Sequence, residues 1–352
     1  MNTEKLQVDY IIVGCGLAGI SFAETCLSNG KSILVLDNTS QNSSTIAAGI
    51  YNPVILKRFS GLEYATEQLV SMNNFYLDLH RKIKIKFNHK IPVLRKFISV
   101  EEQNNWFTAS DKASLAPFLC TQFYKNKITG LNSPFDYGKV LQTGFVDTAA
   151  LLHHYRNYLR QQGCYLNEKF EYHNLINNKN NLQYKNIRAN HIVFAEGFGI
   201  HANPYFKHLP LEGTKGEIII IEAPDLDLNH IINSSLYIVP LGKQQFKVGA
   251  TYDWNDKTDK ISKDGLKELT EKLDGIITCD YKIINHFAGV RPTVKDRKPL
   301  LGTHFLHSNI HIINGLGTRG VMLGPWCAKK LYDYIENGWE IERPYSIARY
   351  QY

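Results

Sequence analysis

No apolar run in this sequence approaches the roughly 20 residues that span a bilayer. The longest are stretches such as Ile218 to Ile221, which argues against a membrane-spanning helix. Cysteine is sparse: six residues at 15, 26, 120, 164, 279 and 327, none in Cys-x-x-Cys spacing and none with a histidine in register for zinc. That excludes a disulfide scaffold and a metal site, and the simplest expectation is buried reduced thiols in a cytoplasmic protein. There is no Gly-X-Y period, heptad run, internal repeat or low-complexity segment, so fibrous and solenoid architectures are excluded. Met1 to Asp9 is polar with both signs of charge, and the apolar run from Tyr10 meets Gly14 at once, which does not read as a signal peptide. Charge of one sign is also scarce. A net +7 over 352 residues only weakly favours an anionic partner. What is present is ordinary globular composition, 43% hydrophobic and 21% charged, with length for two or three domains.

The first 37 residues read as one β-α-β unit. Asp9 to Val13 is an apolar strand, Gly14-Cys-Gly-Leu-Ala-Gly19 a turn, and Ile20, Ala23 and Leu27 keep helical spacing up to Gly30. Ser32 to Leu36 is a second buried strand that closes on Asp37. Parallel strands joined by a short helix imply a doubly wound α/β sheet. Further along, Ala65, Leu69, Met72, Tyr76 and Leu79 form a helical stripe, and Ile91 to Val100 reads as a strand. Asp147 is a candidate N-cap for a helix carrying Leu151, Leu152, Tyr155 and Leu159 and closed by Gly163. His191 to Ala195, Glu217 to Glu222 and Ile310 to Asn314 read as strands, Tyr237 to Pro240 and Phe246 to Thr251 as an antiparallel pair. The polar Asn174 to Asn181 reads as a hairpin or loop. Leu266, Leu269 and Leu273 mark a helix, and Pro325 to Asn337 a C-terminal one. Pieces of a nucleotide-binding sheet recur at the start, middle and end, which predicts two interleaved domains.

Gly14-x-Gly16-x-x-Gly19 is weak as a bare pattern, but here it follows a strand, opens a helix, and precedes Asp37 at the end of the next strand, 18 residues after Gly19. Gly14 permits the tight turn, Gly16 lets a pyrophosphate approach the backbone, and Gly19 lets helix and strand pack closely. The positive end of the helix holds phosphate charge. An anionic Asp37 suits ribose hydroxyls. FAD and NAD share this fingerprint.

Downstream segments separate the two. Ser43-Ser-Thr-Ile-Ala-Ala-Gly-Ile50, Gly144-Phe-Val-Asp-Thr148, Ala195-Glu-Gly197, Leu211-Glu-Gly-Thr-Lys-Gly-Glu217, Tyr237-Ile-Val-Pro240, Gly249-Ala-Thr251, Gly289-Val-Arg-Pro292 with Pro299-Leu-Leu-Gly302, and Gly315-Leu-Gly-Thr-Arg-Gly320 follow in order. The chain resembles the FAD-dependent D-amino acid oxidase family, which includes glycine oxidase and sarcosine oxidase. The resemblance implies a Rossmann-like FAD-binding domain (1–60, 141–205 and 286–352) interleaved with a substrate domain (61–140 and 206–285), α+β in class and built on a mixed or antiparallel sheet. It places Gly14, Gly16, Leu17, Ala18, Gly19, Asp37, Ser44, Ala47, Ala48, Gly49, Phe170, Ala195, Gly197, Gly289, Gly317, Thr318, Arg319, Gly320 and Val321 on the cofactor segments. It also implies a noncovalent FAD: Ile46 stands where some members carry a tethering His, and no Cys lies between 279 and 327.

For substrate, the resemblance singles out Arg291, whose planar guanidinium can grip a carboxylate with two parallel hydrogen bonds. Tyr237 falls where a hydroxyl assists carboxylate binding, and Arg319 could add positive charge beside the flavin pyrimidine. The competing readings are a structural Arg291 paired with an acid such as Asp296, a buried Tyr237 bonded to backbone, and a surface ion pair for Arg319. His286 reads as a core histidine sooner than a site residue. Lys257 and Lys260 are candidate cations for oxygen reactivity. The implied reaction is oxidation of a small amino acid or secondary amine, with hydride passing to flavin N5 and the imine then hydrolysed by water. Oxygen or another acceptor takes the electrons.

The basic run His80 to Lys86, continuing to His89-Lys90, reads as the cationic end of a helix followed by an edge strand. Its rival is an RNA-binding patch. Gly315 to Gly320 is also similar to the flavin domain of the bacterial tRNA-modifying enzymes that remove a carboxymethyl group from a wobble uridine side chain. Within 352 residues there is no room for the methyltransferase domain often fused to it. A flavoprotein acting as a non-catalytic subunit is the third reading, marked by an occluded pocket or an Arg291 turned away from the flavin.

Overall fold

Uninterrupted apolar runs form the centre of the first sheet. In a computed structural model, which describes residues 6–178 and 181–350, Leu6–Val13 pairs in parallel with Ile33–Leu36 on one side and Ile187–Phe194 on the other. Ile12 lies between Val35 and Val193, and all three are buried, as strands covered on both faces require. The short strand Tyr165–Leu166 extends one edge. At the other, Ile187–Phe194 is shared: its first half pairs with Asn181–Tyr184 and its second with His307–Asn314. The expected hairpin is present as Leu175–Asn178 against Asn181–Tyr184. Its residues 179–180, and the first five residues of the proposed non-signal N-terminus, lie outside the described residues.

A second, seven-stranded sheet runs Lys282–Arg291, Thr214–Glu222, Gln245–Gly249, Tyr237–Gly242, Ile231–Asn233, Val93–Lys96, Tyr137–Val140. All its pairs are antiparallel except Ile231–Asn233 with Val93–Lys96, so it is mixed as expected. Alternation assigns its faces. Ile219, Ile221, Ile232, Ile238 and Val248 pack with Leu269 and Leu273 of the helix Lys263–Asp274. Gly216, Ile218, Gly249, Tyr237 and Asn233 face the first sheet's side across a cleft.

Several boundaries differ from the sequence reading. The strand expected over 91–100 stops at Lys96, because Ser99 accepts from the Glu102 N–H at 3.1 Å and starts the helix Val100–Ser110. Glu102 in turn accepts from Ile98 N–H at 2.9 Å, a near capping box legible as Ser-x-x-Glu. The C-terminal helix starts at Gly320, five residues before Pro325. Pro325 cannot donate to the Val321 carbonyl, and the Tyr76 hydroxyl takes that acceptor at 2.9 Å. Tyr76 belongs to the helix Ala65–Ile83, whose buried Met72, Tyr76 and Leu79 share one core with Ile20, Ala23 and Leu331. That helix therefore packs with the nucleotide-binding layer, although 61–140 was expected in the substrate domain. The expected boundary at 286 cuts through Lys282–Arg291, which lies whole in the second sheet.

All six cysteines are free; Cys15, Cys26 and Cys327 are buried and the other three half-buried. Among the described residues no helix is long and apolar enough to cross a membrane, and no cluster of three or more metal-ligating side chains occurs.

Candidate active site

A cavity of about 1460 Å³ lies between the two sheets. Its first wall is the turn after Leu6–Val13. Gly14 has φ +100°, and a Cβ there would come within 2.5 Å of the Ala195 carbonyl oxygen. A Cβ on Gly19 would sit 2.0 Å from the Gly14 carbonyl, so its absence lets helix Leu17–Ser28 lie on the strand. Gly19 accordingly packs behind the cavity, while Gly14, Gly16, Leu17 and Ala18 line it. The N-cap residue, Gly16, offers no side-chain cap, and the helix starts at the cavity. Ser44 accepts from Leu17 N–H at 3.2 Å and so ties the next segment to the helix start.

Asp37 also lines the cavity but is less free than expected. Its Oδ2 lies 3.2 Å from Arg156 Nη2, and the Tyr165 hydroxyl donates to its carbonyl at 3.1 Å. One carboxylate oxygen remains for ribose. Ala47, Ala48, Gly49, Phe170, Ala195, Gly197 and Gly289 line the same space. Gly49, at φ +72°, could carry no Cβ, which would fall 1.9 Å from the Val146 carbonyl oxygen. Phe170 stacks on Tyr184 with ring centroids 4.4 Å apart. Glu196, inside the Ala-Glu-Gly segment but not singled out by sequence, accepts from Tyr172 at 2.5 Å and Asn203 at 2.7 Å. Burial dominates over those donors and pushes its carboxyl up to about 7.

Gly317, Thr318, Arg319, Gly320 and Val321 form the opposite end, a 3₁₀ turn running into the helix Gly320–Asn337, again without a side-chain N-cap. Arg319 has no carboxylate within salt-bridge distance among the described residues, so the surface ion pair is not what forms. Burial pulls its guanidinium pKa down, though an arginine stays charged.

Arg291 closes the substrate end. Its expected rival partner, Asp296, is taken by Arg349 at 2.9 Å and Tyr350 at 2.7 Å. Arg291 Nη1 donates to the carbonyls of Lys215 (3.2 Å) and Thr251 (3.3 Å), and Nη2 to Thr251 (3.3 Å). A guanidinium has five N–H donors, and these bonds use three. The Nε–H and the outer Nη2–H remain, and together they form one side-on edge able to take both oxygens of a carboxylate. Tyr237, half-buried, has its phenol pKa raised by desolvation and lies beside Asn52, whose buried amide nitrogen has no hydrogen-bond partner among the described residues.

Tyr252 was missed, although it directly follows Gly249-Ala-Thr251. Its ring lies 4.5 Å from the Arg291 guanidinium, and it lines the same cavity as Tyr237 and Arg319. Lys257 and Lys260 do not line the cavity; Lys257 Nζ donates to the carbonyls of Gly213 (2.8 Å) and Trp254 (2.6 Å). On the cleft side, half-buried Lys247 bonds to the Ala47 carbonyl at 3.1 Å and is lowered in pKa by burial. His286 points to the other face of the sheet and lies 2.7 Å from Glu217.

These features fit a flavin dinucleotide: two uncapped helix starts, glycines whose backbone a ligand must approach, and an orphaned amide donor. A dinucleotide-binding α/β layer facing a mixed sheet across such a cavity defines a flavin-dependent oxidoreductase. The sequence model of the FAD dependent oxidoreductase (DAO) family matches residues 9–334, and the chain belongs to that family. Glycine oxidase of Bacillus subtilis (strain 168) is 30% identical over 158 residues, 43% of this chain and 42% of that protein. The match thus spans well under half the length of that relative. The tRNA 5-methylaminomethyl-2-thiouridine biosynthesis bifunctional protein MnmC of Campylobacter jejuni subsp. doylei is 21% identical over 308 residues, 84% of this chain and 46% of that protein. The crystal structure of glycine oxidase from Geobacillus kaustophilus shares the fold, with a TM-score of 0.78 at 17% identity over 98% of this chain and 99% of that one.

Proposed function

We propose that the chain oxidises the C–N bond of a small amino acid or secondary amine that carries a carboxylate. The observation behind this is Arg291: half-buried, cationic, without a carboxylate partner among the described residues, and with one bidentate edge unspent on the cavity that Tyr237 also lines. Bound FAD would supply the two-electron acceptor, so that the amine becomes an imine that water hydrolyses. The protein's own tasks are physical. Arg291 fixes the carboxylate and hence the orientation of the neighbouring C–H bond, and Tyr237 offers a hydroxyl kept protonated by burial. Arg319 places positive charge at the glycine-rich turn and would support the negative charge of a reduced flavin held there.

Gly14, Gly16, Leu17, Ala18, Gly19, Asp37, Ser44, Ala47 to Gly49, Phe170, Ala195, Gly197, Gly289 and Gly317 to Val321 are the residues we assign to FAD, held noncovalently. The flavin half comprises 6–60, 141–205 and 292–350, joined by the helix Ala65–Ile83; the second sheet and its helix carry the substrate side. The electron acceptor is oxygen or another small oxidant, and the setting cytoplasmic.

A second reading, oxidation of a carboxymethylamino group on tRNA, draws support from the match to MnmC, which runs over 84% of this chain. The basic run gives it little help. Lys82 pairs with the buried Glu24, Arg81 with Asp78, and Lys84 ends the helix in the left-handed conformation. Anaerobic mixing of FAD-loaded protein with glycine, sarcosine, D-alanine, D-proline, L-proline or bulk tRNA decides between them. Bleaching of the yellow band by a free amine supports the first reading, and bleaching by tRNA alone the second. No bleaching by any of the six overturns both.

A further inference from the structure

Two plates enclose the Arg291 guanidinium. Tyr252 lies over one face, ring centroid 4.5 Å away. On the strand beneath is Gly216, where a Cβ would fall 1.9 Å from Nη2 and 2.2 Å from both Cζ and Nη1. No other residue type leaves that space. The carbonyl of Thr251, the residue before Tyr252, accepts from both Nη atoms, so one dipeptide holds an edge and a face of the same group.

That dipeptide is itself tied down from the opposite side of the sheet. Thr251 Oγ1 accepts from Glu217 N–H at 2.8 Å, and Lys215 and Asp253 exchange backbone bonds at 2.8 and 3.0 Å. The Lys215 ammonium, 2% exposed, holds Asp256 at 2.6 Å and Glu217 at 3.3 Å. Ser262 closes the segment by donating from its hydroxyl to Glu217 at 2.6 Å. Tyr252 is nonetheless 59% exposed, although the residues on both sides of it are held by hydrogen bonds.

We propose that Gly216 and Tyr252 are the positioning pair that turns Arg291 into a carboxylate receptor of one orientation, and that the Tyr252 ring is covered when an acid-bearing ligand binds. This rests on Arg291 as the group that binds the substrate carboxylate. The sandwich prevents the guanidinium from rotating, so its free Nε–Nη2 edge is presented to the cleft before a ligand arrives, which lowers the ordering cost of binding. Stacking against the ring also supports the charge where burial disfavours it. The chemical class recognised is a small carboxylate in the plane of the guanidinium. An amine lacking the acid gains nothing from the pair.

The test is calorimetric titration of the FAD-loaded protein with glycolate, alongside steady-state kinetics on whichever amine bleaches the flavin. Tyr252→Phe keeps the ring and binds glycolate within about twofold of the parent. Tyr252→Ala weakens glycolate about tenfold and raises KM by a similar factor, with kcat within about twofold. Gly216→Ala displaces the guanidinium and weakens glycolate as much as Arg291→Ala does. Should Gly216→Ala fail to fold, the exposed Tyr252 variants still decide. Loss of binding in Arg291→Ala with unchanged affinity in Tyr252→Ala overturns the sandwich while leaving the clamp. Unchanged affinity in Arg291→Ala removes both.

Discussion

The two faces of the strand Thr214–Glu222 treat buried charge in opposite ways. On the face away from the cleft, Lys215 and Glu217 are 2% and 3% exposed, and their charges are settled by each other, by Asp256 and by the Ser262 hydroxyl. On the cleft face, Gly216 makes room for Arg291, whose charge meets only carbonyl dipoles and an aromatic ring among the described residues. A closed network resists change because each charge has a partner already. A cation without a counter-charge is costly to bury and is retained where a ligand supplies the missing anion. The difference separates a structural cluster from a receptor, and it can be broken from either side.

The largest expected effect is on the open face. Arg291→Ala should weaken carboxylate binding by about two to three orders of magnitude, read as a glycolate dissociation constant, with little change in melting temperature. If stability falls while affinity holds, the comparison is inverted. On the closed face, Lys215→Met leaves Glu217 and Asp256 uncompensated. It should cost about 3–5 kcal/mol of stability in denaturant titrations, because a buried pair has been broken from one side.

A smaller effect sharpens the contrast by pH. Glu196, on the cofactor side, is raised to about 7 by burial. A raised acid is more protonated folded than unfolded, so stability declines as pH climbs from about 4.5 to about 7 and levels off above. Glu196→Gln should flatten that slope in chemical denaturation at pH 5 and pH 7.5; a slope identical to the parent's would count against it. Asp256 behaves in the opposite sense. Its hydrogen bond from Lys215 lowers it to about 2, so its contribution is present above about 3.8 and lost as pH falls toward 2. Asp256→Asn should remove that acid-limb component and leave the neutral-pH profile of glycolate binding unmoved.

Local pattern carried much of the fold into view. Strand runs at Asp9–Val13 and His191–Ala195, the Asp147 cap that accepts from Ala150 N–H at 3.0 Å, and the Gly338 stop in the left-handed conformation are all short-range signals. Helix Val100–Ser110 was legible too, through Ser99-x-x-Glu102, but its apolar spacing is poor and an extended reading prevailed. The start at Gly320 was hidden by Pro325, because only the Tyr76 hydroxyl from a distant helix makes that proline tolerable. In the site, glycine motifs and Arg291 stand out by spacing, whereas Tyr252 and Glu196 act through neighbours remote in sequence.

The chain's own order of residues determined where backbone must be bare: at Gly14, Gly19 and Gly49 any side chain would strike a carbonyl, and that constraint is local enough to read from a motif. Folding in three dimensions decided which cations go unpaired. Asp296 went to Arg349, Asp256 to Lys215, and Arg291 was left with a vacant edge. Charge pairing depends on distances between strands and loops far apart in sequence, and those distances exist only once the two sheets have met.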